Sequence, residues 1–159
     1  MEPLKIRRVV TGHNQEGRAI VAIDETCKQV ISRRAQHQSC VVWASDRFPT
    51  DNQDPKDGSQ MVSQTSLDNG SIFRISEYGP GVISRMHRTQ SMDYAVILSG
   101  EIDMELEGQV VRLRQGDVVV QRGTMHNWVN PGTQPCRIAF VLLSAKKLEF
   151  QGMNLEEEG

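Results

Sequence analysis

Apolar and polar positions along this chain alternate in short runs of five to eight residues, rich in β-branched side chains and punctuated by Gly, Pro, Asn or Asp. Side chains two apart share a face of a strand, whereas helical faces repeat every three or four residues, so the pattern predicts strands and little helix. The clearest strand is 101–107, Glu-Ile-Asp-Met-Glu-Leu-Glu, whose strict alternation places one face in water and the other on a core. Residues 6–11 and 18–24 flank the turn-rich His13-Asn14-Gln15-Glu16-Gly17 and predict a hairpin. Further strands are predicted at 39–45, 71–76, 82–88, 93–98, 109–113, 117–121, 126–130 and 136–143. Residues 146–150 read as the start of a short helix and 155–159 as a frayed acidic tail. Between 46 and 70 the chain is polar, with two Pro and two Gly, and reads as a long surface loop of the kind that often serves as a lid.

A length of 159 residues suits one domain, with a barrel core over about 71–143 and a tail over 144–159. Folding a chain of this size removes roughly 70% of its surface from water, enough for a core without staples. With 38% hydrophobic residues, 24% charged residues and a net charge of −2, the composition excludes disorder and a nucleic-acid-sized basic field. The basic pairs Arg7-Arg8 and Arg33-Arg34 are too few and too mixed with acids to track phosphates. Cys27, Cys40 and Cys136 show no CxxC spacing, so neither a disulfide framework nor a structural zinc site is expected. They read as reduced thiols in a cytoplasmic protein. The sequence contains no apolar run of signal or membrane length, so no membrane partner is expected. GxGxxG, P-loop and GxSxG motifs are all missing.

Period-two orientation then selects the residues that carry chemistry. If His87 points inward, so do Ile83, Arg85 and Thr89, while Met86 and Arg88 point out. His126, Trp128 and Asn130 share a face of a second strand. Asp93 stands in the row of Ala95 and Ile97, leaving Tyr94, Val96 and Leu98 on the other side. An acid in an apolar inward row has to be paired, hydrogen-bonded, metal-bound or catalytic, because an isolated buried carboxylate is costly.

Gly81, five residues, His87, one residue, Thr89, three residues, Asp93, six residues and Gly100 resemble the first motif of the cupin superfamily. Gly116-Asp117, then Gly123, two residues, His126, three residues and Asn130 resemble the second. The resemblance implies a conical antiparallel β-barrel of jelly-roll type with the site inside, and commonly a dimer. It also implies departures: Thr89 replaces a second histidine, Asp93 replaces glutamate, and Gln121 holds the proline position in a loop one residue shorter. What survives, His87, Asp93 and His126, has the composition of a two-histidine, one-carboxylate triad that suits Fe(II) or another single divalent metal such as Zn, Mn or Ni.

Without a metal, the same three groups describe an acid–base site able to take a proton from beside a carbonyl and return one to carbon or to a leaving hydroxyl. Three readings follow. The favoured one is a lyase or isomerase, performing dehydration, isomerisation or decarboxylation on the polyketide-like or keto-acid metabolites that the resemblance implies. The second is a metal-dependent dioxygenase with His87, Asp93 and His126 as ligands, and the third a non-catalytic barrel that binds a small ligand. Arg85 is the candidate clamp for a carboxylate or enolate, and Thr89, Gln121, Trp128 and Asn130 complete the candidate binding set. Cys136, His13 and His37 receive no role. Val96, Leu98, Ala139 and Val141 would lie on an outward apolar face, which a second copy of the chain would cover as a homodimer.

Overall fold

The computed structural model describes residues 1–61 and 67–158 and is built almost wholly of strands. In chain order they are β1 (Arg7–His13), β2 (Ala19–Thr26), β3 (Val30–Ile31), β4 (His37–Ser45), β5 (Ser71–Tyr78), β6 (Ser91–Ser99) and β7 (Glu101–Leu106). Then follow β8 (Gln109–Arg114), β9 (Val118–Arg122), β10 (His126–Val129), β11 (Cys136–Ser144), β12 (Leu148–Phe150) and β13 (Met153–Leu155). A six-stranded sheet in the order β3-β4-β5-β11-β6-β9 faces a three-stranded sheet β10-β7-β8, and the pairings are antiparallel throughout. This is the all-β architecture that the strand pattern predicts, in the jelly-roll barrel form that the resemblance implies.

The inward rows fill the space between the sheets. Ile72 and Tyr78 of β5, Ala95 and Ile97 of β6, Ile102 and Met104 of β7, Trp128 of β10 and Ile138, Phe140 and Leu142 of β11 form one buried cluster. Tyr94, Val96 and Leu98 alternate outward on β6 as expected, with Val96 39% and Leu98 42% exposed. Ala139 differs from expectation: it packs with Cys40 and Ile75 against Leu4, Ile6 and Cys27 of the N-terminal segment, so the chain covers part of its own outer face.

The loop after β4 is anchored midway. Arg8 of β1 is buried and grips Asp57 at 2.5 Å and Glu25 at 2.6 Å. Asp57 in turn caps the single turn of 3-10 helix at Gly58–Gln60, accepting from Ser59 N, and Gly58 lies against Trp43 and the Ala44 carbonyl. Residues 62–66 of the same loop lie outside the described residues.

Three expectations fail. Residues 82–86 form no strand, and of the segment expected at 82–88 His87 and Arg88 make isolated bridges, His87 to His126 and Arg88 to Glu158. The reason is local: Val82 N closes a turn to Gly79 O and Arg85 N is taken by the Asn127 side chain at 2.9 Å, so the segment's donors never enter a ladder. Ile83 is consequently 58% exposed instead of facing inward. Residues 146–150 are not helical but run into the β12–β13 hairpin, and the acidic tail docks: Arg88 pairs with Glu158 and Gln90 N donates to Glu157 Oε1 at 2.8 Å.

Candidate active site

The backbone bridge between His87 and His126 is reciprocal, each N–H donating to the other's carbonyl at 2.9 Å. It brings the two rings to 4.1 Å between centroids at 46°, both nearly removed from solvent. Each Nδ1 lies near a carbonyl two residues earlier: His87 Nδ1 is 2.9 Å from Arg85 O, and His126 Nδ1 is 3.0 Å from Thr124 O. Donating to Arg85 O places the His87 proton on Nδ1 and leaves its Nε2 lone pair available. His126 is contested. The Gln121 amide nitrogen also presses against His126 Nδ1 and reaches Thr124 O at 3.3 Å. An amide donor there requires a lone pair on Nδ1 and a proton on Nε2, the opposite of what Thr124 O alone would select, so Gln121 sets the tautomer.

Burial pushes both imidazoles down to about 4, and the charges of Arg85 and Arg74 act on both in the same direction, with Arg34 adding to the effect on His87. For His126 the neighbouring His87 adds to the effect. Both rings are therefore neutral near pH 7.

Around this pair the inward rows supply aromatic walls. Trp128 stands edge-on to His126 at 5.9 Å and to Phe140 at 5.6 Å, with Tyr78 at 6.3 Å. Asp93 is brought to a different set of partners. Ser91 Oγ donates to its Oδ1 at 2.6 Å, and Thr89 Oγ1 stands 2.9 Å from Ser91 Oγ, so two hydroxyls lead to the carboxyl. Burial raises the Asp93 pKa, against the lowering effects of Ser91 and of the Arg74 charge. Asn130 is buried too, but its amide is spent on the Tyr78 and Gln134 carbonyls and on Gly132 N, which closes a turn.

The sequence reading misses a second group of interior residues. Arg74 of β5 shares the inward row with Ile72 and Tyr78, and Arg34 and His37 reach the same region from just before and at the start of β4. The His37 ring lies 4.9 Å from that of Tyr78, and burial with four arginine charges holds it at about 4. These residues lie outside both motifs; the only signal is that Arg74 and Tyr78 fall at inward positions of β5.

A three-ligand metal centre needs donors converging within about 2.0–2.2 Å of one point. Among the described residues, no group of three His, Cys, Asp or Glu side chains is gathered so as to hold a metal ion. The physical reason lies in the donors: the short Asp93 side chain is taken by Ser91, Thr89 gives its hydroxyl to the same serine, and arginine charge reaches both imidazoles. The expected ligand triad of His87, Asp93 and His126 thus does not fit as assembled.

Two clefts, of about 440 and 340 Å³, lie beneath the β12–β13 hairpin and share Arg88, Gly123, Thr124, Leu148 and Leu155. The larger also takes in Thr89 and Ser91, the outer end of the hydroxyl chain to Asp93.

The cupin domain family matches residues 74–142, the interval that holds both histidines and the aromatic walls. Over most of its length the chain is also similar to the Cupin-domain-containing oxidoreductase fogC of Aspergillus ruber, at 31% identity over 96% of this chain and 79% of that protein. The Phomopsin biosynthesis cluster protein C' of Diaporthe leptostromiformis is 38% identical over 91% of this chain and 82% of that one. The chain belongs to the cupin family. Among solved structures, the polyketide cyclase RemF from Streptomyces resistomycificus shares the fold, with a TM-score of 0.52 at 16% identity over 81% of this chain and 77% of that one. No described helix is long and apolar enough to cross a membrane.

Proposed function

We propose that this chain is an enzyme of secondary metabolism that isomerises or dehydrates a small enolisable carbonyl compound by acid–base chemistry inside the barrel. The observation that carries this reading is the pair of neutral imidazoles in ring contact, 4.1 Å apart, His87 oriented by the Arg85 carbonyl and His126 by the Gln121 amide. The relatives support the setting: one is named for an oxidoreductase and another for a biosynthesis cluster.

In this scheme His87 Nε2 takes the proton from the carbon beside the carbonyl, forming imidazolium and enolate. His126, with its proton held on Nε2 by Gln121, donates a hydrogen bond to the enolate oxygen; a neutral imidazole of low pKa suits that role. His87 then returns the proton to a different carbon, or to a β-hydroxyl that leaves as water, and the proton count closes. The positive charge of Arg85 favours the enolate, and the negative charge developing on the substrate offsets the field that holds His87 low. The name of the Aspergillus relative favours a second reading, a redox step in the same barrel, which needs an oxidant or reductant beyond the side chains described.

The test is hydrogen exchange. Incubated in D₂O with a panel of 2-oxo acids and 1,3-diketones, the protein is expected to incorporate deuterium beside the carbonyl, read by proton NMR, faster than buffer alone. His87→Ala is expected to slow this by about 100-fold or more. Exchange at the buffer rate across the panel, or unchanged by substitution of either histidine, sinks the scheme.

A further inference from the structure

Two arginines of the interior, Arg34 and Arg74, stand without an ion pair among the described residues, although the Asp93 charge acts on Arg74. Arg34 lies over the Tyr78 ring with its guanidinium carbon 6.0 Å from the centroid, and Arg74 lies over Phe140 at 5.8 Å. Among the described residues, the ion pairs of the chain engage other arginines, such as Arg8, Arg112 and Arg137, and neither of these two. Among the described residues, the buried atoms Arg34 Nη1, Arg74 Nε and His37 Nδ1 have no hydrogen-bond partner. Burial pushes the pKa of both guanidiniums down, the direction expected of charge held away from water.

Open guanidinium donors inside a protein are costly unless something supplies acceptors. A guanidinium is a planar fork that matches a carboxylate in two parallel hydrogen bonds. The flanking Tyr78 and Phe140 faces suit a flat, apolar body attached to that carboxylate. Arg74 stands on the large sheet and His126 on β10 of the small one, and the Arg74 charge acts on both imidazoles across the space between the sheets. We propose that Arg34, Arg74 and His37 form a carboxylate-binding subsite, and that the substrate is a small aromatic or unsaturated carboxylic acid whose reactive carbon reaches the His87–His126 pair. Only the last clause rests on the acid–base reading above; the subsite itself rests on the unpartnered donors.

Calorimetric titration of the full chain with benzoate, benzamide and inorganic phosphate tests the subsite without requiring turnover. Benzoate is expected to bind and to raise the melting temperature, with benzamide and phosphate at least tenfold weaker. Arg74→Met and Arg34→Met are each expected to weaken benzoate at least tenfold. Without ligand, both variants should melt at or near the parent, because each removes a partly buried charge that forms no ion pair among the described residues, the Asp93 charge reaching Arg74 only through space. A purely structural arginine would give the reverse, lower melting with benzoate binding intact, and that outcome overturns the proposal. So does benzamide binding as well as benzoate, or phosphate binding more tightly, both read on the unsubstituted protein even where a variant does not fold. Selective benzoate binding without any deuterium exchange keeps the subsite and removes the acid–base scheme, so the two failures are told apart.

Discussion

Asp93 is 5% exposed, with one hydroxyl donating to it at 2.6 Å and a second behind that. A carboxyl group so placed resists ionisation because burial removes solvent and the Ser91 hydrogen bond only partly compensates. Asparagine is nearly the same shape and can still accept from Ser91, so Asp93→Asn changes the proton inventory and little else. The His87–His126 scheme gives Asp93 no proton to move, so the expected outcome is deuterium exchange within about threefold of the parent, with a melting temperature at or slightly above that of the parent. A loss of about 100-fold would give Asp93 a proton-transfer step that the scheme lacks. Full activity in this variant would show that Asp93 only fills and bonds. The positions of His87, His126 and Asp93 were legible because motif spacing and period-two alternation both point to them. Arg34, Arg74 and His37 were not, since an arginine in a strand reads as a wet residue until the sheet pairing turns it inward. Arg85 shows the same limit from the other side. Its backbone is fixed by Asn127 and His87, yet it lies on a segment that alternation alone would have made a strand.

At the level of elements, the turns decide which strands meet. Gly100 joins β6 to β7 at φ +75, and a Cβ there would stand 2.6 Å from the Pro135 carbonyl oxygen. Left-handed backbone costs a non-glycine residue roughly 1–2 kcal/mol, and the contact with a backbone oxygen adds to that because neither side is free to move. Gly100→Ala is expected to lower the stability by about 2–4 kcal/mol in urea unfolding with an unchanged slope. A loss below about 0.5 kcal/mol would mean that the β6–β7 turn and the start of β11 separate easily. The hairpin of β12 and β13 shows why the C-terminal region was misread. Lys-Lys-Leu-Glu-Phe suits a helix locally, but Gln151 and Gly152 both take positive φ, at 51° and 79°, the pair of dihedrals that closes a two-residue hairpin. Leu148 then packs beside Gly123, and the tail becomes the roof of the two clefts instead of fraying. The signal for this turn is the Gln151-Gly152 dipeptide, which lies just beyond the segment expected to be helical.

For the molecule as a whole, the buried imidazoles make acid sensitivity a readout of the interior. His37, His87 and His126 each sit at about 4 in the folded chain, below the ordinary histidine value near 6.5. A depressed folded value means that the unfolded chain binds protons first as pH falls. The stability from these groups is therefore complete above about pH 6.5 and is lost between there and about pH 4. Each unit of difference is worth about 1.4 kcal/mol per group, and the three share the field of the same arginines, so their losses are coupled and not additive. Asp93 works in the opposite sense, since its raised value favours the folded state at lower pH. The carboxylates of Asp24, Asp57 and Asp103 are held low by Arg7, Arg8 and Arg112, and their contribution disappears only below about pH 4, which separates the two windows. Calorimetric melting at pH 7.5, 6, 5 and 4 is expected to show a steep decline that begins near pH 6.5. His37→Gln and His126→Gln should each flatten the part above pH 4, whereas Asp57→Asn should lower stability across that range and leave its slope unchanged. Benzoate bound at the arginines would offset part of the positive field and make the decline shallower, because imidazoles relieved of that field take up protons in the folded chain at a pH nearer to the unfolded value. A melting temperature that stays level from pH 7.5 to 5 would show that the rings are hydrated, and with that the dry, positively charged barrel on which both the catalytic pair and the anion subsite depend would be gone.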